Sequence, residues 1–116
     1  MYGNLFYYNA YVESVYDGDT ITCTIDCGFN MFMKKQKIRL SGIDTPELRG
    51  DTREHGLMVR DKLREKILGK QVILKTEKDR KGKYGRYIAT VYINEINVNQ
   101  WLIDEGYATI YTGEGP

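Results

Sequence analysis

The sequence has few of the residues that form disulfides and soft-metal sites. Its 116 residues include two cysteines, Cys23 and Cys27, and one histidine, His55. If both cysteines lie on one strand, their Cα atoms are about 13 Å apart at about 3.3 Å per residue. That separation exceeds the limit of about 7 Å for a disulfide. With one histidine as the remaining soft ligand, a zinc site is not expected, and we expect two reduced thiols packed in a strand.

Long apolar runs are also missing. No stretch reaches the roughly 18 apolar residues of a membrane-spanning helix. The first ten residues, MYGNLFYYNA, contain no basic segment followed by an apolar one, as a secretory signal would. We therefore expect no membrane contact and a cytoplasmic location, in the cell of origin or in the cytosol of a host.

Neither sign of charge is in excess. Seventeen lysines and arginines against 16 acidic residues leave a net charge of +1. Such a balance is not typical of a protein that is basic all over in order to bind nucleic acid, so any basic surface must be local. The length suits one domain, residues 1–116, with one hydrophobic core.

Extended segments dominate the chain and alternate with turn signals. They are rich in β-branched and aromatic residues, which favour strands. The predicted strands are 8–16, 21–27, 32–43, 71–78 and 86–93.

The hydrophobic period changes at residues 52–70. Val59, Leu63 and Ile67 recur every four residues with charged residues between them, which indicates an amphipathic helix. Gly69 suits the position just after its end.

A second, shorter helix is indicated at residues 98–105, closed by Gly106 and followed by an extended tail at 107–112. The order is then three strands, a helix, two strands and a short helix. This order predicts a mainly β, α+β protein of the OB-fold type, a five-stranded, partly open barrel with a helix between the third and fourth strands. Fold does not imply function.

Charged residues occur in three motifs at the ends of the predicted strands: DGDT (17–20), RLSGIDTPE (39–47) and KYGR (83–86). Asp19 and Asp44 would both lie at strand ends. Two carboxylates with a backbone carbonyl form a hard-oxygen site that suits calcium, with water in the remaining positions.

The other charged residues of these motifs suit phosphate chemistry. Glu47 lies three residues after Asp44, close enough to act on a water beside such a cation. Arg39 and Arg86 could present their donor forks to a phosphate. A cation, a carboxylate and two arginines together suit the attack of water on a phosphodiester.

Each motif also has a structural interpretation when it is taken alone. DGDT is typical of a turn, and Arg39 alone would be an ordinary solvated strand residue. DTPE could start a helix, with Thr45 as its cap and Pro46 in the first turn. His55, beside a helix start, is typical of an exposed surface residue. We favour a functional site because all the motifs occur together in this strand order.

The three motifs resemble those of the staphylococcal nuclease family. The resemblance covers about residues 10–112, and the segment NVNQWLIDEGYA is similar to the one that follows the family's last barrel strand. It implies an OB-fold barrel and a calcium-dependent endonuclease that cleaves DNA and RNA, leaving 3′-phosphate and 5′-hydroxyl ends.

By position, the resemblance makes Asp19 and Asp44 the side-chain ligands of calcium and the carbonyl of Thr45 a third ligand. Glu47 would orient or deprotonate the attacking water.

The resemblance also implies how the substrate is held. Arg39 and Arg86 would bind the phosphate and stabilise the charge of the transition state, while Lys83 and Tyr84 would line the nucleotide pocket. A pocket for one phosphate and one stacked base favours unpaired strands, so single-stranded or denatured DNA and RNA are the expected substrates. No obligate protein partner is indicated.

The chain departs from the family prototype near its end. It stops soon after YATIYTGEGP, where the prototype continues into a further helix, so we expect that helix to be absent. The prototype's paired downstream tyrosines have no match in phase, although Tyr111 is near.

Two other functions compete with a nuclease. One is an OB-fold module that grips single strands without cutting them, and the other is a structural or protein-binding barrel. Neither needs metal carboxylates, a water-orienting glutamate and two arginines, all of which this chain has.

Overall fold

The computed structural model describes residues 6–81 and 87–111. Within them the strands are numbered in chain order: β1 (Tyr7–Asp17), β2 (Thr20–Asp26), β3 (Phe32–Leu40), β4 (Ile43–Asp44), β5 (Gln71–Lys81), β6 (Tyr87–Ile93), β7 (Ile96–Asn97) and β8 (Thr109–Ile110). The helices are α1 (Arg53–Ile67) and α2 (Val98–Asp104), with a 3-10 turn at Gly50–Thr52.

Five of these strands close into a barrel. β1 pairs antiparallel with β2 and with β5, and β2–β3 and β5–β6 are antiparallel neighbours. A parallel pairing of β3 with β6, in which Leu40 lies opposite Ala89, completes the circuit. The predicted OB-fold barrel, with a helix between its third and fourth strands, is confirmed.

Side-chain alternation explains which face of each strand points inward. On β2, Ile21, Cys23 and Ile25 are buried, while the threonines between them are partly exposed. On β1 the alternation slips between Val12 and Val15, where a bulge interrupts the pairing with β2. A bulge increases local bending and twist, which helps a short sheet to close on itself.

α1 packs its apolar stripe on the barrel, as predicted. Val59, Leu63 and Ile67 are fully buried. The helix ends at Ile67, and Gly69 follows with a φ of +72°, the left-handed conformation that glycine adopts readily after a helix.

Several predicted boundaries were wrong, and each shift has a local cause. The third strand does not run to residue 43: it ends at Leu40, because Gly42 has a φ of +77° and turns the chain before β4. The predicted extended tail includes β8, which pairs with β4. The segment 79–81, predicted as loop, continues β5.

The cysteines are both free, but one of them was misplaced. Cys23 is buried in the core, and its burial raises the pKa of its thiol to about 12. Cys27 is exposed, because β2 ends at Asp26 and the chain turns there. No helix in the described part of the chain is long and apolar enough to cross a membrane.

Candidate active site

Asp19 lies in the tight turn between β1 and β2 and is only 8% exposed. The turn is tied to β3, because the Leu40 N–H donates to the Asp19 carbonyl at 2.9 Å. The Asp19 carboxylate accepts the Thr20 hydroxyl at 3.2 Å and the Thr45 backbone N–H at 3.3 Å. The last bond joins two loops that are 26 residues apart.

Arg39 lies between two carboxylates. Its register opposite Thr20 places it on β3 beside the β1–β2 turn. One guanidinium nitrogen is 3.5 Å from Asp19 Oδ2, and the other is 3.8 Å from Asp44 Oδ1. Nη1 also donates to the Leu40 carbonyl at 3.0 Å. A single positive group therefore holds together two acids that would otherwise repel each other.

Two glycines allow the loops to approach so closely. A Cβ on Gly18 would lie 2.8 Å from Thr45 Oγ1 and 2.7 Å from a methyl carbon of Val59. A Cβ on Gly56, in the first turns of α1, would lie 2.7 Å from the backbone oxygen of Glu47. Sequence reasoning missed both glycines, because their role depends on contacts between distant parts of the chain.

DTPE does not start a helix. α1 begins at Arg53, after the 3-10 turn, with Thr52 as its N-cap residue. The Thr52 hydroxyl instead donates to the Glu47 carbonyl at 2.9 Å, which helps to hold the loop against the helix. His55 is exposed, as expected.

Glu47 is paired with a neighbouring arginine of its own loop. Its carboxylate accepts a hydrogen bond from Arg49 Nε at 3.0 Å, and the Glu47 and Arg49 side chains are 68% and 85% exposed. The sequence places Glu47 near Asp44, and the structure keeps it in the same loop but paired with Arg49.

Asp17 is an acid of this turn to which sequence reasoning assigned no role. Its Oδ1 accepts the Asp19 backbone N–H at 3.1 Å. Burial, and then the negative charge of Asp19, raise the pKa of Asp17 to about 6. The repeated aspartate of DGDT, across a two-residue turn, was the available signal.

Tyr111 also reaches the site. Its backbone N–H donates to the Gly42 carbonyl at 2.8 Å, next to the short β4–β8 pairing. The Arg39 guanidinium carbon lies 5.5 Å from the centre of the Tyr111 ring, a distance at which a cation is attracted to an aromatic face.

Three predicted site residues, Lys83, Tyr84 and Arg86, lie outside the described residues. The chain is described again from Tyr87, which pairs with Ile38, and the next residue pairs with Arg39.

The oxygen atoms of this cluster are of the type that binds a hard cation. Asp17, Asp19 and Asp44 are three carboxylates against the one guanidinium of Arg39, so the described cluster has an excess of negative charge. Thr45 Oγ1 is buried with no hydrogen-bond partner among the described residues. Calcium takes carboxylate, carbonyl and water oxygens. No three His, Cys, Asp or Glu side chains of residues 6–81 and 87–111 form a metal-binding group alone, so backbone or water oxygens would have to contribute.

Comparison with known proteins finds similar sequences over most of the chain. A family model described as "Staphylococcal nuclease homologue" matches residues 37–116. A thermonuclease of Staphylococcus hyicus is 33% identical over 84% of this chain and 56% of its own length. An uncharacterised endonuclease of Haemophilus influenzae is 33% identical over 86% of this chain and 51% of its own. An uncharacterised protein of Methanocaldococcus jannaschii is 32% identical over 90% of this chain. The chain spans 60% of that protein's length.

Proposed function

This chain belongs to the staphylococcal nuclease family, and we propose that it is a calcium-dependent endonuclease that hydrolyses phosphodiester bonds of DNA, RNA or both. The observation that carries the proposal is the convergence of Asp19, Asp44 and Arg39, which come from three separate elements. A plain turn or a solvated strand would not bring a half-buried arginine between two acids. The substrate we expect is single-stranded or denatured nucleic acid, and the expected products carry 3′-phosphate and 5′-hydroxyl ends.

The acids have the first role in this proposal. Asp19, Asp44 and the Thr45 carbonyl would hold calcium, which when bound supplies positive charge beside the phosphate. The excess negative charge of the cluster and the raised pKa of Asp17 support a site that gains stability from an added cation.

Arg39 has the second role. Its contacts with Asp19 and Asp44, 3.5 and 3.8 Å long, exceed the roughly 2.7–2.9 Å of tight charge-assisted hydrogen bonds. Nη1 stays on the Leu40 carbonyl, and Nη2, which no acid holds in a tight hydrogen bond, would donate to a phosphate oxygen. Arg86 would supply a second fork, and Lys83 and Tyr84 would contact the nucleotide.

Glu47 has the third role. It orients the attacking water or accepts its proton, the water oxygen bonds to phosphorus, and the bond to the 5′ oxygen breaks, with that oxygen taking a proton from solvent to become the 5′-hydroxyl. Glu47 must leave Arg49 to do so. That exchange costs little, because exposed ion pairs contribute about 0–1 kcal/mol.

The test is cleavage of a labelled single-stranded oligonucleotide in calcium and in chelator, with the product ends identified by phosphatase and kinase treatment. We expect cleavage in calcium, none in chelator, and a large loss in Asp44→Asn. Asp104→Asn, at the end of α2, is the matched control and should cut normally. Full cleavage in chelator, or by Asp44→Asn, would contradict the calcium site.

One observation favours a second candidate, a module that binds single strands without cutting. Glu47 pairs with Arg49 rather than facing the Arg39 cluster. If that pairing persists with substrate, the oligonucleotide binds but yields no product, and Glu47→Gln binds as the unchanged protein does.

A further inference from the structure

An open surface cavity lies near the end of α1 that is farther from the candidate active site. Its volume is about 420 Å³. Lys62, Lys66 and Lys70 form one side, and Trp101 and Tyr107 form another. The turn between β6 and β7 completes it. Gly56 contacts the Glu47 loop, and Lys66 is ten residues further on, which is about 15 Å along the helix at 1.5 Å per residue.

The aromatic side of the cavity is preformed. Trp101 and Tyr107 meet edge to face, with ring centres 5.7 Å apart. Trp101 is partly exposed and packs against the core from the outside, so its ring is fixed but reachable. Aromatic faces of this kind accept nucleobases by stacking, with little dependence on which base it is.

The three lysines are not paired with acids, although the Lys70 ammonium donates to the Glu65 backbone carbonyl at 3.4 Å. Within the described residues, none of Lys62, Lys66 and Lys70 lies within 4.0 Å of a carboxylate, and Glu65 is the one acid that lines the cavity. Arg60 and Arg64, on the same helix, both lie near Asp61. Lys62 and Lys66 on α1, and Lys70 just after its end, therefore present cations without a carboxylate partner to the cavity.

Lys66 links the two features. Its ammonium lies 4.5 Å from the centre of the Trp101 ring. The lysine stem is flexible and its charge is compact. A base could take its place on the ring while the ammonium moves to the adjoining phosphate, so the charge and the aromatic face would serve one ligand.

We propose that this cavity is a second contact for the nucleic-acid strand, outside the cleavage site, where one base stacks on Trp101 and the lysines bind the neighbouring phosphates. This inference rests on the proposed substrate class, a polynucleotide. An acidic peptide would satisfy the lysines but would leave the aromatic face without a base. Only a strand long enough to extend from the cleavage site along α1 would reach this contact. Long strands should therefore bind more tightly than dinucleotides.

The chain reports on this cavity directly, because Trp101 is its one tryptophan. The experiment titrates tryptophan fluorescence with a twelve-residue oligothymidylate, with a thymidine dinucleotide and with polyglutamate, in chelator and at several salt concentrations. We expect the long oligonucleotide to quench Trp101, and the dinucleotide and polyglutamate to quench it much less. Quenching by polyglutamate equal to that by the oligonucleotide would overturn the assignment to nucleic acid.

A pair of matched double variants tests the lysines. Lys62→Gln with Lys70→Gln should weaken oligonucleotide binding and lower the slope of log affinity against log salt by about 1 to 1.5, at about 0.7 per single-strand phosphate contact. Lys34→Gln with Lys35→Gln removes the same charge from exposed positions on β3 and should have a smaller effect on both. Equal effects of the two doubles would overturn the proposal. Thermal unfolding checks that all variants fold.

Hydrolysis by the unchanged protein is measured separately, so that the two proposals can fail independently. Quenching without hydrolysis would contradict the proposed nuclease activity and support the second contact. Hydrolysis of the long oligonucleotide without any quenching of Trp101 removes the second contact alone.

Discussion

At the scale of single residues, the candidate site is organised by Arg39. Its guanidinium lies between Asp19 and Asp44, and the ring of Tyr111, the residue after β8, lies over it. The side chain is 16% exposed, so its charge acts in surroundings of lower dielectric than water. Changes at Arg39 and Tyr111 should therefore be visible in both rate and stability.

We expect Arg39→Ala to lower kcat about 10²–10³-fold with a smaller change in KM, as when one donor to a developing charge is lost. Arg39→Lys should recover little, because an ammonium cannot form the two-pronged contact. Steady-state kinetics on a single-stranded oligonucleotide make the measurement. Arg60→Ala is the control, because Arg60 is an arginine of α1 that is also mostly buried and paired with an acid. A change confined to KM would make Arg39 a binding charge.

Tyr111 should act through Arg39. Tyr111→Ala removes a cation–aromatic contact worth about 0.5–1 kcal/mol at a partly exposed site, so kcat should fall about 2- to 5-fold. Tyr111→Phe keeps the ring and should keep most of the rate. Tyr11→Ala, a tyrosine of similar exposure on β1, serves as the comparison. If Tyr111→Phe and Tyr111→Ala lower kcat equally, the hydroxyl matters and the ring contact does not.

At the scale of elements, the site depends on how α1 packs against the loop at residues 44–47. Gly56 is buried in the first turns of the helix, directly against the backbone of that loop. Gly18 plays the same part for the β1–β2 turn, against Thr45 and Val59. Both contacts involve backbone or buried atoms, which have little room to move away.

Gly56→Ala is expected to destabilise the protein and to lower its activity. In an exposed helix the same change stabilises by about 1 kcal/mol, but here the new methyl would lie 2.7 Å from the Glu47 carbonyl oxygen and force the loop away. Chemical denaturation and kinetics together make the test. His55→Ala, one residue earlier and exposed, should stay within about 0.5 kcal/mol and cut normally. A more stable Gly56→Ala would mean that the loop can yield.

At the scale of the whole molecule, closure of the barrel assembles the site. The parallel β3–β6 pairing and the β4–β8 pairing bring the two halves of the chain to the same end as the β1–β2 turn. The folded chain therefore assembles three acids around one arginine, which leaves an excess of negative charge at this end of the barrel. A cation bound there should stabilise the fold as well as support catalysis.

Calcium should therefore raise the stability of the protein. A ligand that binds the folded state alone contributes about 2.7 kcal/mol at a concentration of 100 Kd. We expect calorimetry to show that the unfolding temperature rises with calcium chloride. Sodium chloride at the same ionic strength should not raise it. Asp44→Asn should remove most of the rise, and Asp104→Asn should not. An unfolding temperature that does not change with calcium would contradict the cation site, whatever the activity of the protein.

Much of the fold could be predicted from the sequence, because it rests on local patterns. β-branched alternation located the strands, and the spacing of Val59, Leu63 and Ile67 located α1. The boundaries that failed, at Leu40 and at Cys27, depend on where a turn interrupts a run of strand-forming residues. A run of strand-forming residues does not show at which residue the hydrogen-bonded strand pairing ends.

The sequence by itself determined the barrel class, the side of α1 that is buried and the three motifs that carry Asp19, Arg39 and Asp44. These follow from periodicity and from residue chemistry, which are properties of short stretches. The tertiary structure alone decided that Tyr111 covers Arg39, that Glu47 pairs with Arg49 and that Trp101 lies beside lysines with no carboxylate partner. Such contacts depend on distances between side chains that the closed barrel fixes, and residue order does not contain those distances.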